Sequence, residues 1–479
     1  DAFKDNGTIK INGSDVAKDN SIAIYEKGDT TKQIGTLKNN GDGTVEFTPS
    51  PDYSNYDFTK SPQFTYTVTD FDGDEATATV RVNVKPVADA PTIFVKNVET
   101  YEDNKNTQEG TNRVSLELKV PSLSKDSDAT SQTSPTGYTA KQNNNVTKTN
   151  PILDGTGDYN GTSTGDSPER NGEITLTFTN SSAVTGAKIF NGVTEVATIN
   201  SVNQIVKVVI VKTSGGTDID TDYHHNGTLL AKGGNVLYLT KSEYESLKIQ
   251  HAEDNDTDIA IKISVTSYEV DDSGKPLTGN LATSSTTTAN MTVVIKPVTD
   301  DISLKWNVAS AGKISDAGKT YTFNDIDEGN PTIDLKALLT KTSGTETFNG
   351  SKADLDGSEK RTYTISGIPE GTVVTLGGQT AVANDKGIAT IVFNDTNNKN
   401  PDPDFSMKFP ENYSGTVEGK ITLSVIDKGN GTEHTNNNGT EKIGADGQGE
   451  WGEVKTAEVN FKVNVYPVAN EATLKVSQA

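Results

Sequence analysis

Apolar and polar residues alternate along this chain with a period of two. The clearest runs are 76–84, 173–179, 204–212, 259–265, 372–376 and 420–425, rich in Thr, Val and Ile and separated by Asn, Gly, Asp and Ser. Alternation puts successive side chains on opposite faces, so each run reads as a half-buried strand between turns. The 3.6-residue period is nearly absent. Residues 240–247, opening with Thr, Ser and Glu, predict a turn or two of helix, and 335–339 predict another. Many short strands without a βαβ rhythm predict an all-β chain of serial β-sandwich domains.

Three alternating runs end on the same punctuation: Val82-Asn-Val-Lys-Pro-Val-Ala-Asp89, Val293-Val-Ile-Lys-Pro-Val-Thr-Asp300 and Val463-Asn-Val-Tyr-Pro-Val-Ala-Asn470. Proline has no N–H to donate to a ladder, so Pro86, Pro297 and Pro467 mark strand ends and domain exits. The expected domains are 1–88, 89–297 and 298–467, with 468–479 a linker or the start of a further repeat. Leu116-Glu-Leu-Lys119 matches Ile333-Asp-Leu-Lys336, and Ile261-Lys-Ile-Ser-Val265 matches Ile421-Thr-Leu-Ser-Val425, so the two larger segments are related to each other. Their extra length falls in Asn/Thr/Gly-rich stretches at 129–172, 213–235 and 427–450, read as long loops.

Charge narrows the partners. The 479 residues hold 43 Lys+Arg against 66 Asp+Glu, a net −23, and no cysteine. An acidic excess repels phosphate backbones and anionic lipid surfaces, so nucleic acid and direct membrane insertion are excluded as expectations. No run of about 18 apolar residues is present to span a bilayer. Without cysteine there is no disulfide scaffold, thiolate zinc site or thiol catalysis. Abundant carboxylates suit a hard cation, and Ca2+, which takes six to eight oxygen ligands in irregular geometry, is the expected cofactor. The chain opens Asp-Ala-Phe-Lys with no signal-peptide pattern and reads as an excised fragment, expected to be monomeric.

Asp42-Gly-Thr-Val-Glu-Phe-Thr-Pro49, Phe64-Thr-Tyr-Thr-Val-Thr-Asp-Phe-Asp-Gly-Asp74, Ala76-Thr-Ala-Thr-Val80 and the Lys85-Pro-Val-Ala-Asp-Ala-Pro91 exit resemble the cadherin-like repeat of giant RTX adhesins of Gram-negative bacteria. The resemblance covers about residues 40–93. Further on, Asp354-Leu-Asp-Gly-Ser-Glu359 and Phe409-Pro-Glu-Asn-Tyr-Ser-Gly415 resemble the larger calcium-dependent domains of the same adhesins. The middle segment departs from them, with Asp126-Ser-Asp128 lacking the Gly-Ser-Glu and His251-Ala-Glu-Asp-Asn-Asp-Thr-Asp258 in place of the Pro-Glu-Asn stretch. The resemblance implies an extended, calcium-rigidified array of cadherin-like or Ig-like sandwiches. It also implies export by a type I system, retention at the cell surface, and modules that bind a host or surface protein, peptide or glycan. The family's glycine-rich nonapeptide repeat is not found in this sequence.

Carboxylate clusters carry the metal expectation. Asp70, Asp72 and Asp74 alternate at a strand end, and like charges so close call for a neutralising cation. Linker residues Asp89, Asp300 and Asp301 are expected to share ions with carboxylates that begin a neighbouring domain: Glu102 and Asp103, or Asp325, Asp327 and Glu328. Asp126, Asp128, Asp254, Asp256, Asp258, Asp354, Asp356, Glu359 and Asp427 supply further oxygens. None of these is an EF-hand, since the Asp254 run has Ile259 where that loop needs glycine and Val265 where it needs glutamate. For a ligand edge the candidates are Tyr138, Tyr159, Tyr223 and His225 in the middle segment's loops, and Asp395, Asp402, Asp404, Asp446 and Trp451 in the last segment. Trp306, in an alternating run, is expected in the core ahead of a ligand contact.

Signals for catalysis are weak. Adjacent His224 and His225 cannot share one strand face, and no His-Glu-x-x-His occurs. Gly161-Thr-Ser-Thr-Gly165 lacks the strand and helix of a nucleophile elbow, and Gly447-Gln-Gly-Glu-Trp-Gly452 lacks those of a dinucleotide site. The expectation is a non-enzymatic, calcium-dependent surface adhesin fragment with a peptide or protein ligand favoured over a glycan. Purely structural extender domains and a glycan-binding lectin module remain as alternatives, and an enzyme within the middle-segment loops is a third.

Overall fold

A computed structural model of the chain describes residues 9–26, 31, 33–50, 53–69, 72–101, 113–123, 134–142, 146–148, 169–179, 185–224, 235–252, 257–271, 273–296, 302–306, 312–335, 339–343, 346–347, 359–394, 405–427 and 454–469. Apart from short helical turns, its regular elements are strands, and the chain is all-β. Backbone packing divides it into two compact units. One comprises Asp1–Val98, Val114–Gln250 and Ile259–Val293, the other Glu99–Arg113, His251–Asp258 and Val294–Ala479.

Seven strands open the chain: β1 Ile9–Ile11, β2 Ser14–Val16, β3 Ser21–Tyr25, β4 Gln33–Asn39, β5 Val45–Pro49, β6 Gln63–Thr69 and β7 Glu75–Arg81. They form two sheets, ordered β2-β1-β6-β7 and β3-β4-β5. Asn12 and Gly13 both take positive φ between β1 and β2, as the tightest hairpin turn requires. Ile9, Ile11, Ile24, Ile34, Leu37 and Phe64 make the core between the sheets.

The following stretch supplies β8 Ile93–Val95, β9 Val98–Tyr101, β10 Arg113–Ser115, β11 Thr139–Gln142, β12 Val146–Lys148, β13 Glu169–Asn171 and β14 Ile174–Phe178. It continues with β15 Lys188–Asn191, β16 Thr194–Thr198, β17 Gln204–Ile210, β18 Val236–Leu239, helix α1 Lys241–Glu245, β19 Lys248–Gln250, β20 Ile259–Glu269 and β21 Ser284–Lys296. The main sheet runs β18-β17-β14-β20-β21-β9, with β13 also on β20; β10-β19-β15-β16 and β12-β11-β8 are separate sheets. Ile174, Leu176 and Phe178 of β14 and Ile259, Ile261, Ile263 and Val265 of β20 are all at most 1 % exposed. Each such side chain contributes about 1.5–3 kcal/mol by leaving water. The stretch 129–172, expected as a loop, contains β11, β12 and β13; their short polar runs are too brief for periodicity to register. Helix α1 is the turn expected at 240–247. Thr240 caps it, accepting from the Glu243 N–H while the Glu243 carboxylate accepts from the Thr240 N–H.

The last segment holds β22 Ile302–Trp306, β23 Gly312–Ser315, β24 Thr320–Phe323, β25 Ile326–Asp327, β26 Thr332–Leu335, β27 Leu339–Ser343 and β28 Glu346–Thr347. Then come β29 Glu359–Ser366, β30 Val373–Leu376, β31 Gln379–Val382, β32 Ile388–Asn394, β33 Phe405–Lys408, β34 Gly415–Asp427 and β35 Lys455–Tyr466. The sheets are β23-β24-β35-β34-β29-β32 with β25 also on β35, then β26-β33-β30-β31 and β22-β27-β28. Leu335 and Leu339, expected in a helical turn, instead end β26 and begin β27, because strand pairing outweighs a weak local periodicity. Trp306 is 2 % exposed, packs on Tyr321, Phe323 and Phe405, and donates its indole N–H to the Asn460 carbonyl at 2.8 Å. It is a core residue.

Two outcomes are expected. A side chain at Gly419 would place its Cβ 2.1 Å from the Phe461 ring, so Gly419→Val should lower the urea-unfolding free energy by about 1–3 kcal/mol. Burial works against the Glu243 charge, but hydrogen bonds from Ser214 and Thr240 more than offset it and hold its pKa below the ordinary 4.5. A depressed folded-state pKa gives stability that is present above 4.5 and lost as the pH falls through the lower value. Glu243→Ala should therefore cost about 1 kcal/mol at neutral pH, and urea titrations should show the gap closing in acid.

Candidate functional site

The first group of acidic residues forms where the chain leaves β7 and begins the next stretch. The Ala88 N–H donates to Thr283 Oγ at 3.0 Å, the Asp89 N–H donates to a Glu169 carboxylate oxygen, and the Asp89 carbonyl accepts from the Ser267 hydroxyl. Thr287 donates to the Pro91 carbonyl at 2.6 Å. Glu169 stands directly opposite Glu269 in the β13–β20 ladder. They are only 5 % and 1 % exposed, so two carboxyl groups lie in low dielectric beside a linker aspartate. Such a pair demands a cation, a proton or strong donors. Asp89 was legible in the sequence; the two glutamates were not singled out. The available signal was period two: Ile259, Ile261, Ile263, Val265 and Ser267 all point inward, and Glu269 continues that row.

A second group lies in the last segment, at its own exit. Asn464 donates its amide to Asp325 at 2.9 Å, the Glu328 N–H donates to the Tyr466 carbonyl at 3.0 Å, and the Val468 N–H donates to the Glu328 carboxylate at 2.9 Å. Asp327 pairs with Tyr466 in the parallel β25–β35 ladder. Asp325, Asp327 and Glu328 thus meet the outgoing chain at 464–468, because a parallel strand carries the segment's first residues to the end at which its last strand finishes. The grouping expected with Asp300 and Asp301 involves residues outside those described. The middle stretch repeats the device. Lys296 contacts Glu99 at 2.8 Å and lies 5.7 Å from the Tyr101 ring centre, while Asp258 accepts from the Ile295 N–H at 2.9 Å. His251, 3 % exposed, places its two ring nitrogens 2.7 Å from the Ala252 carbonyl and 3.1 Å from that of Tyr101.

The other candidates are scattered. Asp72 and Asp74 are exposed in the β6–β7 turn around Gly73, the length of β7 away from the Pro86 exit. Glu359 and Asp427 are register partners across β29 and β34. Tyr138 is half-buried, with the Lys96 and Lys119 ammonium groups 5.8 and 6.0 Å from its ring centre and its hydroxyl donating to Glu117 at 3.2 Å; burial and the Glu117 charge raise its pKa. Tyr223 is 3 % exposed and donates to the Pro121 carbonyl at 3.0 Å, and burial pushes its phenol pKa well up, so it is placed as a packing residue. Asp70, Glu102, Asp103, Asp126, Asp128, Tyr159, His225, Asp254, Asp256, Asp300, Asp301, Asp354, Asp356, Asp395, Asp402, Asp404, Asp446 and Trp451 lie outside the described residues. Among the described residues, no group of three or more Asp, Glu, His or Cys side chains is close enough to hold a metal ion. The two groups above therefore offer part of an oxygen shell and no more.

Comparison with known proteins adds one local family match. Residues 2–83 match the bacterial Ig domain family. No curated protein matches the chain. Among solved structures the chain is similar to the extracellular cadherin domains 3–6 of protocadherin gamma B2, with 7 % identity, 95 % of this chain and 71 % of that one covered, and a TM-score of 0.29. It is similar as well to a 1.5-MDa bacterial ice-binding adhesin, with 10 % identity, coverage of 96 % and 86 %, and a TM-score of 0.20. Likeness at this level carries no functional argument. No described helix is long and apolar enough to cross a membrane.

Replacing Glu269 by Gln removes one of two facing carboxylates while keeping its shape. If the pair binds a cation with Asp89, Glu269→Gln should weaken calcium's effect on stability about ten-fold in concentration. If the pair shares a proton instead, the variant should gain stability at neutral pH and stay indifferent to calcium, and calorimetric melts at several calcium concentrations separate the two.

Proposed function

We propose that the chain is a fragment of a calcium-dependent bacterial surface adhesin, in which calcium stiffens the passages between serial sandwiches and loops of one or both larger segments bind a host or surface ligand. The observation that carries this reading is the way acidic residues grip the outgoing and incoming chain: Asp89 on Glu169 beside Glu269, and Glu328 on Val468 beside Asp325. Oxygen-only donor sets of this kind suit calcium, which also accepts carbonyls and water. Glu169 and Glu269 would give part of the oxygen shell of one ion, Asp325 and Glu328 part of another, with backbone carbonyls and water completing each, and the bound charge would neutralise carboxylates that otherwise repel.

The domain layout we assign is 1–88 as an extender, then 89–297 and 298–467 as enlarged sandwiches. Each described sheet draws its strands from a single one of these segments, which supports that layout. The bacterial Ig match over residues 2–83 supports placement at a bacterial surface. Export by a type I system and kinship with RTX adhesins rest on the sequence resemblance alone. A peptide or protein ligand is favoured over a glycan, and the chain is read as non-enzymatic.

Removing calcium should lower the melting temperature by roughly ten degrees, since millimolar calcium at sites of about 10⁻⁴ M stabilises by RT ln(1 + [L]/Kd) at each. A melt unchanged by chelator would refute the calcium reading. Binding of labelled full-length chain to peptide and glycan arrays, in calcium and then in chelator, tests the adhesive reading. Silence on both arrays from folded protein would leave these segments as spacers.

A further inference from the structure

In the middle segment, residues 120–123, the end of β13 and residues 222–223 line a small cavity together with Lys241 of α1. Its volume is about 80 Å³, far below the roughly 300–1,000 Å³ of a pocket for a whole drug-sized molecule, and suits the end of one side chain. Backbone and side-chain bonds hold its parts. Ser122 and Thr92 exchange both backbone bonds at 2.8 and 3.0 Å, the Asn171 N–H donates to the Asp222 carbonyl at 3.1 Å, and the Tyr223 hydroxyl donates to the Pro121 carbonyl at 3.0 Å. Pro121, Leu123 and Tyr223 are buried and give apolar walls. Two polar atoms stand out. Asn171, 1 % exposed, turns its amide nitrogen to the Pro121 carbonyl at 3.3 Å, which leaves the amide oxygen as its open group; that oxygen is withdrawn from water and has no hydrogen-bond partner among the described residues. The Ser122 hydroxyl is withdrawn and unpartnered in the same way. At the mouth, Asp222 and Lys241, with side chains 24 and 40 % exposed, form an ion pair, and Asp220 lies 3.4 Å from the same ammonium. Two carboxylates on one ammonium leave the mouth negative. Buried polar atoms are nearly always satisfied, so two open ones in a single cavity beside surplus negative charge describe the ligand that would complete them.

We propose that this cavity binds a primary ammonium at the end of an aliphatic stem, the side chain of a lysine in a peptide ligand. An ammonium carries three N–H donors and no acceptor. Asn171 Oδ1, Ser122 Oγ and the Asp222 carboxylate offer three acceptors, and the walls of Pro121, Leu123 and Tyr223 suit the methylene stem. A guanidinium, planar and with five donors, is a poorer match in number and in width. An anion would face the Asn171 oxygen and two aspartates. The choice of a peptide as carrier rests on the ligand reading above; the ammonium chemistry stands without it and without calcium.

The probe is lysine capped at both ends, added to the full chain in chelator and read by saturation-transfer NMR and calorimetry. Capped Nε-acetyl-lysine, capped norleucine and n-butylammonium are run beside it. Saturable binding of capped lysine with a Kd of about 1 mM, lost in the acetylated and norleucine forms, supports the proposal. Equal binding of n-butylammonium assigns the site to primary amines in general, and a preference of about ten-fold or more for capped lysine assigns it to a peptide. Ser122→Ala removes a hydroxyl that bonds nothing else among the described residues, so the melting temperature should hold while binding weakens about ten-fold. Lys241→Met, which frees Asp222, should tighten binding. No saturable binding of either amine at about 10 mM overturns the proposal, as do equal binding of norleucine and an affinity unchanged in both variants. A silent cavity in a chain that binds peptide arrays overturns this inference alone; capped lysine held by the cavity while the arrays stay silent supports it and counts only against the ligand reading.

Discussion

From Gly415 opposite Val465 to Val425 opposite Lys455, β34 and β35 pair residue by residue without a break, and β20 and β21 do the same from Ile259 opposite Val293 to Tyr268 opposite Ser284. Register in these hairpins governs the larger segments. A slip of one residue would turn Val459, Phe461 and Val463 outward and expose the row that now fills the core. Neighbouring parts are keyed to it. Gly419 leaves room for the Phe461 ring opposite, and the Asn460 carbonyl receives the Trp306 indole. The parallel strands β24 and β25 fit only one alignment of β35, the one that delivers Asp325 and Glu328 to the exit at 464–468.

Acidic residues at strand ends gain meaning from the same geometry. An aspartate in an exposed turn, such as Asp72, is solvated and repels its neighbours weakly. Glu169 and Glu269 differ because their backbones are locked opposite one another and their side chains are withdrawn from water, where mutual repulsion is far less screened. Whatever neutralises that pair is coupled to the linker, since Asp89 is bound to Glu169 by its N–H and to Ser267 by its carbonyl. The passage out of the first sandwich is thereby tied to the body of the next stretch. Lys241 shows the metal-free version of this chemistry: burial opposes its charge, but Asp222 and Asp220 more than offset that and raise its pKa.

Most of the fold could be read from local pattern. Runs at 173–179, 259–265 and 420–425 became β14, β20 and β34, and the Thr, Ser and Glu at 240–243 became the capped turn α1. The misreadings were short. Leu335 and Leu339 lack enough neighbours of like period to declare themselves, and β11 to β13 are only three or four mostly polar residues each. Of the candidate site, Asp89 was legible as a linker aspartate at a proline exit, Asp325 and Glu328 as carboxylates that begin a segment, and Asp258 as part of the acidic run 254–258. Tyr223, chosen for its place in a polar stretch, is held in the interior by its bond to Pro121.

Composition and period two, by themselves, determined an all-β chain, its acidic character and the prolines that end three of its alternating runs, because alternation and the missing proline N–H act over a few residues. Which carboxylates meet was decided only by the tertiary structure. Glu169 and Glu269 are a hundred residues apart in the chain, and nothing local distinguishes them from solvated glutamates until β13 and β20 pair. The same holds for Asp325 and Asn464, joined across a parallel ladder that no short-range signal encodes.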